Sequence, residues 1–206
     1  MRLGILVSGR GSNLEAVLDA IVAGRLPAVE ARLVIANRPG IRALEVAARN
    51  GVPWRLLTRD DVPSPRARDE AIGQALVDAG CEVALLAGYD QILGPGYFNA
   101  FGGRTINIPP SLLPLHGGRG MVGLAVHAAV LAAGESETGV TIHEVTPDLD
   151  AGPPIRQVRV PVVAGESPAD LAQRVLEVEH RVLVAVLAEL SGSMTAASPA
   201  PIRARR

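Results

Sequence analysis

Three features of the 206-residue sequence predict an α/β fold, an open and mostly parallel twisted sheet with helices on both faces. Short apolar runs alternate with helix-period segments, as in a parallel sheet covered on both sides. Glycines stand just beyond those helical segments, where a left-handed helix-ending residue is wanted. With 48% hydrophobic residues, a chain of this length has material for one sizeable core and little room for a second.

The first strand is expected over Leu3–Val7. The helix after it carries Leu14, Val17, Leu18, Ile21 and Val22 at helical spacing, Ser12 and Glu15 in a capping-box pattern, and Gly24 beyond its end. Further strands are expected at Arg32–Ala36, Trp54–Thr58, Val83–Ala87 and Thr105–Ile108. Four of the five strands lead into helix candidates, and Gly51, Gly80 and Gly134 close the later ones. Between Thr138 and Val162 the pattern changes to two β-rich runs, Thr138–Val145 and Pro154–Val162. The intervening Thr146 to Pro153 must be a loop, because proline, glycine and two carboxylates interrupt it. The last helix opens at Ser167 with Pro168 in its first position and turns Leu171, Val175, Val178, Val182, Val186 and Leu190 toward a core. Residues 1–192 are expected to form the single domain. Residues 193–206, with the small-residue and proline stretch Ala196–Pro201 and then Arg203, Arg205 and Arg206, are expected to form a flexible tail.

Basic and acidic residues number 20 and 21 and are interspersed, leaving a net charge of −1, which argues against a nucleic-acid or membrane partner and directs attention to pockets. A lone cysteine, Cys81, excludes an intramolecular disulfide framework, and the opening Met1 to Ile5 enters a strand pattern rather than a secretory signal. No apolar run reaches the length of a membrane span. A cytoplasmic protein, monomer or homodimer, is expected.

After the first strand, Ser8-Gly9-Arg10-Gly11-Ser12-Asn13 brings backbone N–H groups, hydroxyls and a helix start to one strand end, which suits an anion such as a phosphate. The third glycine of a dinucleotide fingerprint and the Gly-Lys-Ser/Thr of a P-loop are absent. The alternative is a plain strand-to-helix turn. Asn107 at the end of the fifth strand stands where open parallel sheets place ligands, and Asp150 lies in the acidic loop. Taken singly, they read equally as a turn residue and a solvated acid.

Together these segments resemble a known family. Asn107-Ile108-Pro109-Pro110-Ser111-Leu112-Leu113-Pro114 resembles the N-x-H-P-S-L-L-P run of the formyltetrahydrofolate-dependent transferases, with Pro109 in the histidine's place. Asp150-Ala151-Gly152-Pro153 resembles their D-x-G-P loop, and the N-terminal SGRGSN resembles the phosphate turn of the phosphoribosylglycinamide formyltransferases. The resemblance implies a Rossmann-like formyltransferase fold, 10-formyltetrahydrofolate as cosubstrate, no metal, and glycinamide ribonucleotide of purine biosynthesis as the amine substrate.

The resemblance also implies residue roles. Asn107 and Asp150 are the implied catalytic residues. Gly11, Ser12, Asn13, Asn107 and Glu179 fall at substrate-binding positions, while Tyr89, Asp90, Gln91, Ile92, Leu93, Thr146 and Asp150 fall at folate-binding positions. A gapless placement puts Pro65 where the family has a substrate-binding arginine, and Arg66 is the residue expected to supply the guanidinium. The glycine-rich His116 to Gly123 resembles a variant loop and is assigned no chemistry. Pro109 has no ionisable group and no donor, so turnover is expected to be impaired. Among the remaining histidines His143 is the nearest substitute, but its preferred reading is a structural histidine beside the missing one. A non-catalytic folate- or nucleotide-binding protein, or a formyltransferase acting on another small amine, stays open as the second reading.

Overall fold

The computed structural model describes residues 1–118, 120–148 and 150–197. Its strands are β1 (Arg2–Val7), β2 (Glu30–Ala36), β3 (Trp54–Leu56), β4 (Val83–Leu86), β5 (Arg104–Asn107), β6 (Glu137–Glu144) and β7 (Pro154–Pro161). Its helices are α1 (Ser12–Val22), α2 (Arg42–Arg49), α3 (Pro65–Asp78), α4 (Pro95–Ala100), α5 (Leu124–Ala132) and α6 (Pro168–Ala197). The remainder of the expected tail, 198–206, lies outside the described residues, as do Arg119 and Leu149.

The strands form one seven-stranded sheet in the order β3-β2-β1-β4-β5-β6-β7. β1 to β5 run parallel, and β6 and β7 are antiparallel to their neighbours. Chain order proceeds outward in both directions from β1, so the sheet has its switch point between β1 and β4, where such sheets open a crevice.

Alternation along the strands divides the core between the two faces. Leu3, Ile5 and Val7 of β1, with Val34, Val83, Leu85 and Ile106, pack against Leu14, Val17, Val46, Leu171, Val175 and Val186 from α1, α2 and α6. Leu6, Leu33, Ile35, Ala84 and Leu86 face the other way, against Ile72, Leu76 and Tyr97 of α3 and α4. Each fully buried Leu or Ile stabilises the fold by roughly 1.5–3 kcal/mol in transfer terms.

The glycines expected to end helices, Gly24, Gly51, Gly80 and Gly134, all have left-handed backbones with φ of 67–69°. Two local expectations change. The capping box does not form: Gly11, at φ 75°, is the N-cap of α1 and no side chain caps it. Glu15 turns instead to Arg42, at 2.7 Å, and to Arg49, so two guanidinium groups outcompete a backbone N–H for its carboxylate. Helix α4 was not expected from the periodicity. It is a six-residue helix started by Pro95, anchored by buried Tyr97, whose hydroxyl pairs with Thr105 Oγ1 at 2.7 Å.

Candidate active site

At the C-terminal ends of β1, β4 and β5 lies a cavity of about 680 Å³, within the range of small-molecule sites. Its walls are the Gly9–Asn13 turn, the Leu86–Leu93 segment, Asn107 to Pro110, the glycine-rich loop, His143, the acidic loop and one face of α6.

The β1 turn depends on glycine at one position. Gly11 has a left-handed backbone, and a Cβ there would press on Cα and Cβ of Ala43 at 2.9 and 2.8 Å. Because no side chain caps α1, its first N–H groups remain available beside the cavity. Asn13 is buried, with its Oδ1 unpartnered, and its side chain also bonds Glu179 of α6. Burial pushes the Glu179 carboxyl up to about 8, and the Asn13 bond only partly offsets this. The turn therefore presents N–H donors beside a carboxyl that is neutral at pH 7.

Beyond β4, Asp90 is fixed from three directions. Its N–H donates to Ser8 Oγ at 3.0 Å, and its carboxylate accepts from Asn37 Nδ2 at 2.8 Å and pairs with Arg38. Gln91 Oε1 accepts from Nε of buried Arg68 at 3.2 Å. Leu93 is buried and Ile92 exposed, while Tyr89 is buried with its hydroxyl unpartnered, and burial raises that hydroxyl's pKa.

At the centre, Asn107 of β5 stands in register with His143 of β6. Asn107 Oδ1 accepts the Ile108 N–H at 2.9 Å, which leaves the Nδ2 donors for a ligand. His143 is 2% exposed; its Nδ1 lies 2.7 Å from the Glu144 carbonyl oxygen, and its Nε2 is 3.7 Å from Asp150 Oδ1. Asp150 has a left-handed backbone (φ 52°), which aspartate tolerates better than most residues. Its Oδ2 accepts the Gly118 N–H at 2.7 Å. Thr146 Oγ1 donates to the Asp148 carbonyl oxygen at 3.1 Å within the same loop.

Every residue expected at the site lines this cavity apart from Arg66. Arg66 is a correction: it projects from α3 to Glu70, one turn on, with its side chain 83% exposed. An N-terminal helix position directs that side chain along the outer face, whereas Arg68, two residues later, is buried and reaches Gln91. Three supports were not visible in the sequence: Arg68 beneath Gln91, the Asn37–Arg38 pair on Asp90, and the Gly118 N–H on Asp150. The last is a backbone group, which no residue pattern marks.

Residues 1–187 match the Formyl transferase family. The chain belongs to that family. Phosphoribosylglycinamide formyltransferase of Escherichia coli is 35% identical over 187 residues, covering 91% of this chain and 85% of that protein. The trifunctional purine biosynthetic protein adenosine-3 of Drosophila pseudoobscura pseudoobscura is 38% identical over 191 residues, and there the match spans only 14% of the relative's length. Among solved structures, glycinamide ribonucleotide transformylase 1 from Geobacillus kaustophilus superposes with a TM-score of 0.85 at 38% identity, over 93% of this chain and 98% of that one. The corresponding enzyme from Symbiobacterium toebii gives 0.86 at 36% identity, over 94% and 88%. Pro109 lines the cavity, and its carbonyl oxygen accepts the Thr141 N–H at 3.2 Å.

Proposed function

We propose that this chain transfers a formyl group from 10-formyltetrahydrofolate to the amine of glycinamide ribonucleotide, as the names of its relatives suggest. The observation that carries this reading is the convergence of an amide donor, Asn107 Nδ2, and a carboxylate, Asp150, on one cavity. Formyl transfer can use both groups. The amine nitrogen attacks the formyl carbon, the carbonyl electrons move onto oxygen, and Asn107 donates to that oxyanion. The Asp150 carboxylate takes the proton that the attacking amine gives up. Gly118 and the loop backbone hold Asp150 for that task.

The substrate phosphate is assigned to Gly11, Ser12 and Asn13 at the uncapped start of α1, where N–H groups and the helix dipole favour an anion. Neutral Glu179 beside it avoids repulsion and offers polar atoms to the ribose. The folate ring is assigned to Tyr89, Asp90, Gln91, Ile92 and Leu93, with Thr146 in the facing loop. These are water-soluble partners, consistent with a cytoplasmic enzyme. Pro109 supports a second reading, a binding protein without turnover, since it supplies no acid or donor.

The test is a formyl-transfer assay on the chain and on Pro109→His, with binding of both substrates measured alongside. Slow turnover is expected for the chain, rising about a hundred- to a thousand-fold with the histidine. Saturable binding with no turnover in either protein selects the second reading. No binding of either substrate removes both.

A further inference from the structure

We propose that His143 is the proton donor to the departing nitrogen in this chain, an inference that rests on the formyl-transfer reading. Collapse of the tetrahedral intermediate expels an amine nitrogen that must be protonated as it leaves, so an acid has to stand beside the reacting carbon. The titratable groups on the cavity wall besides Asp150 are Arg10, Tyr89, Asp90, His116, His127, His143 and Glu179, and burial raises the pKa of the Tyr89 hydroxyl, against proton release. Asp90 is committed to Arg38 and Asn37. His116 is directed at Glu135, 3.7 Å away, and Glu179 bonds Asn13. Burial lowers the pKa of His127, and among the described residues no ion pair to a carboxylate opposes that shift. Only His143 is in register with Asn107 and within ion-pair distance of Asp150.

The ring's orientation follows from its neighbours. A carbonyl oxygen accepts and never donates, so the 2.7 Å contact with Glu144 fixes the proton on Nδ1. Nε2 is then the nitrogen that gains and loses a proton. It is buried, without a hydrogen-bond partner, and 3.7 Å from Asp150 Oδ1. The Glu144 side chain is occupied by Arg104, leaving Asp150 as the charged group paired with the ring.

The step balances without a further reactant. His143 enters with a proton on Nε2, 3.7 Å from the Asp150 carboxylate. The amine nitrogen bonds to the formyl carbon and its proton passes to Asp150. The bond between that carbon and the folate nitrogen then breaks, its electron pair staying on nitrogen, which takes the Nε2 proton. Return of the proton from Asp150 to Nε2 restores the starting state.

The test is His143→Asn, in the chain as it stands and in Pro109→His. Asparagine keeps a donor for the Glu144 carbonyl and removes Nε2, and thermal unfolding checks that each protein folds. His143→Gln serves if the asparagine variant does not fold. In the parent background kcat is expected to fall about a hundredfold or more, with substrate affinities unchanged, and one limb of the pH–rate profile is expected to vanish. In the Pro109→His background the same change is expected to cost tenfold or less, because a second imidazole is present. Equal losses in both backgrounds, or none in the first, overturn the proposal, as does an inert natural chain whose Pro109→His version turns over. If neither protein transfers formyl, the formyl-transfer reading itself has failed.

Discussion

Glu179 is buried against Asn13, and its carboxyl is raised from 4.5 to about 8. A folded-state value above the unfolded one means that the folded chain holds this proton more tightly. The resulting stability is fully present below pH 4.5 and is lost as pH rises through about 8. Glu179→Gln keeps the shape and removes the titration, so urea unfolding from pH 5 to pH 9 should show the parent losing stability relative to the variant by on the order of a few kcal/mol. A pH-independent difference between the two would contradict the buried neutral carboxyl. Arg66 makes the opposite case. Its side chain lies in solvent against Glu70, so Arg66→Ala should leave substrate affinities within about twofold, as titration calorimetry would show. Asn107 and Asp150 were singled out because the motifs around them resemble those of a known family, and both line the cavity. Arg66 could not be told from Arg68 because the two arginines differ only in direction around α3, and residue type does not encode which faces inward.

At the scale of elements, the SLLP segment is tied to the antiparallel strands by one buried hydroxyl. Thr141 Oγ1 donates to the Ser111 carbonyl oxygen at 2.7 Å and accepts from Leu113 N–H at 3.1 Å and Gln157 Nε2 at 3.0 Å. Thr141→Val is nearly isosteric but takes this partner from the Ser111 carbonyl and the Leu113 N–H, and should cost about 1–3 kcal/mol in denaturant unfolding. The acidic loop depends on Gly152, where a Cβ would overlap the Glu144 carbonyl oxygen. Gly152→Ala must therefore displace the loop carrying Asp150, and formyl transfer should fall at least tenfold while the sheet stays folded by circular dichroism. A fully active Gly152→Ala would show that Asp150 does not need its observed place. The strands and most helices were legible from apolar spacing and terminal glycines. Helix α4 was not, because six residues give too short a period to distinguish from a turn, and its burial comes from α3 and Thr105 across the sheet. The capping box failed for a related reason. Its two residues fit a local pattern, but Arg42 and Arg49 arrive from a different helix.

Across the whole molecule, both proposed ligands occupy one cavity at the switch point of the sheet, so each should stabilise the folded chain by linkage. A non-hydrolysable folate analogue or glycinamide ribonucleotide at a hundred times its dissociation constant should add about 2.7 kcal/mol to unfolding, and the two together more than either alone. Thermal shift measurements check this independently of turnover, and a chain whose melting temperature responds to neither ligand would not bind them in this cavity. The sequence by itself determined the α/β class, the order of the principal strands and helices, and membership of a transferase family. Those follow from period, punctuation and short motifs, which are properties of neighbouring residues. Only the tertiary structure decided that Asn107 is in register with His143, that Gly118 holds Asp150, and that Arg68 rather than Arg66 reaches Gln91. Those contacts join residues 20 to 40 positions apart or on different strands, and their geometry is set by sheet register and side-chain direction, which a linear pattern does not carry.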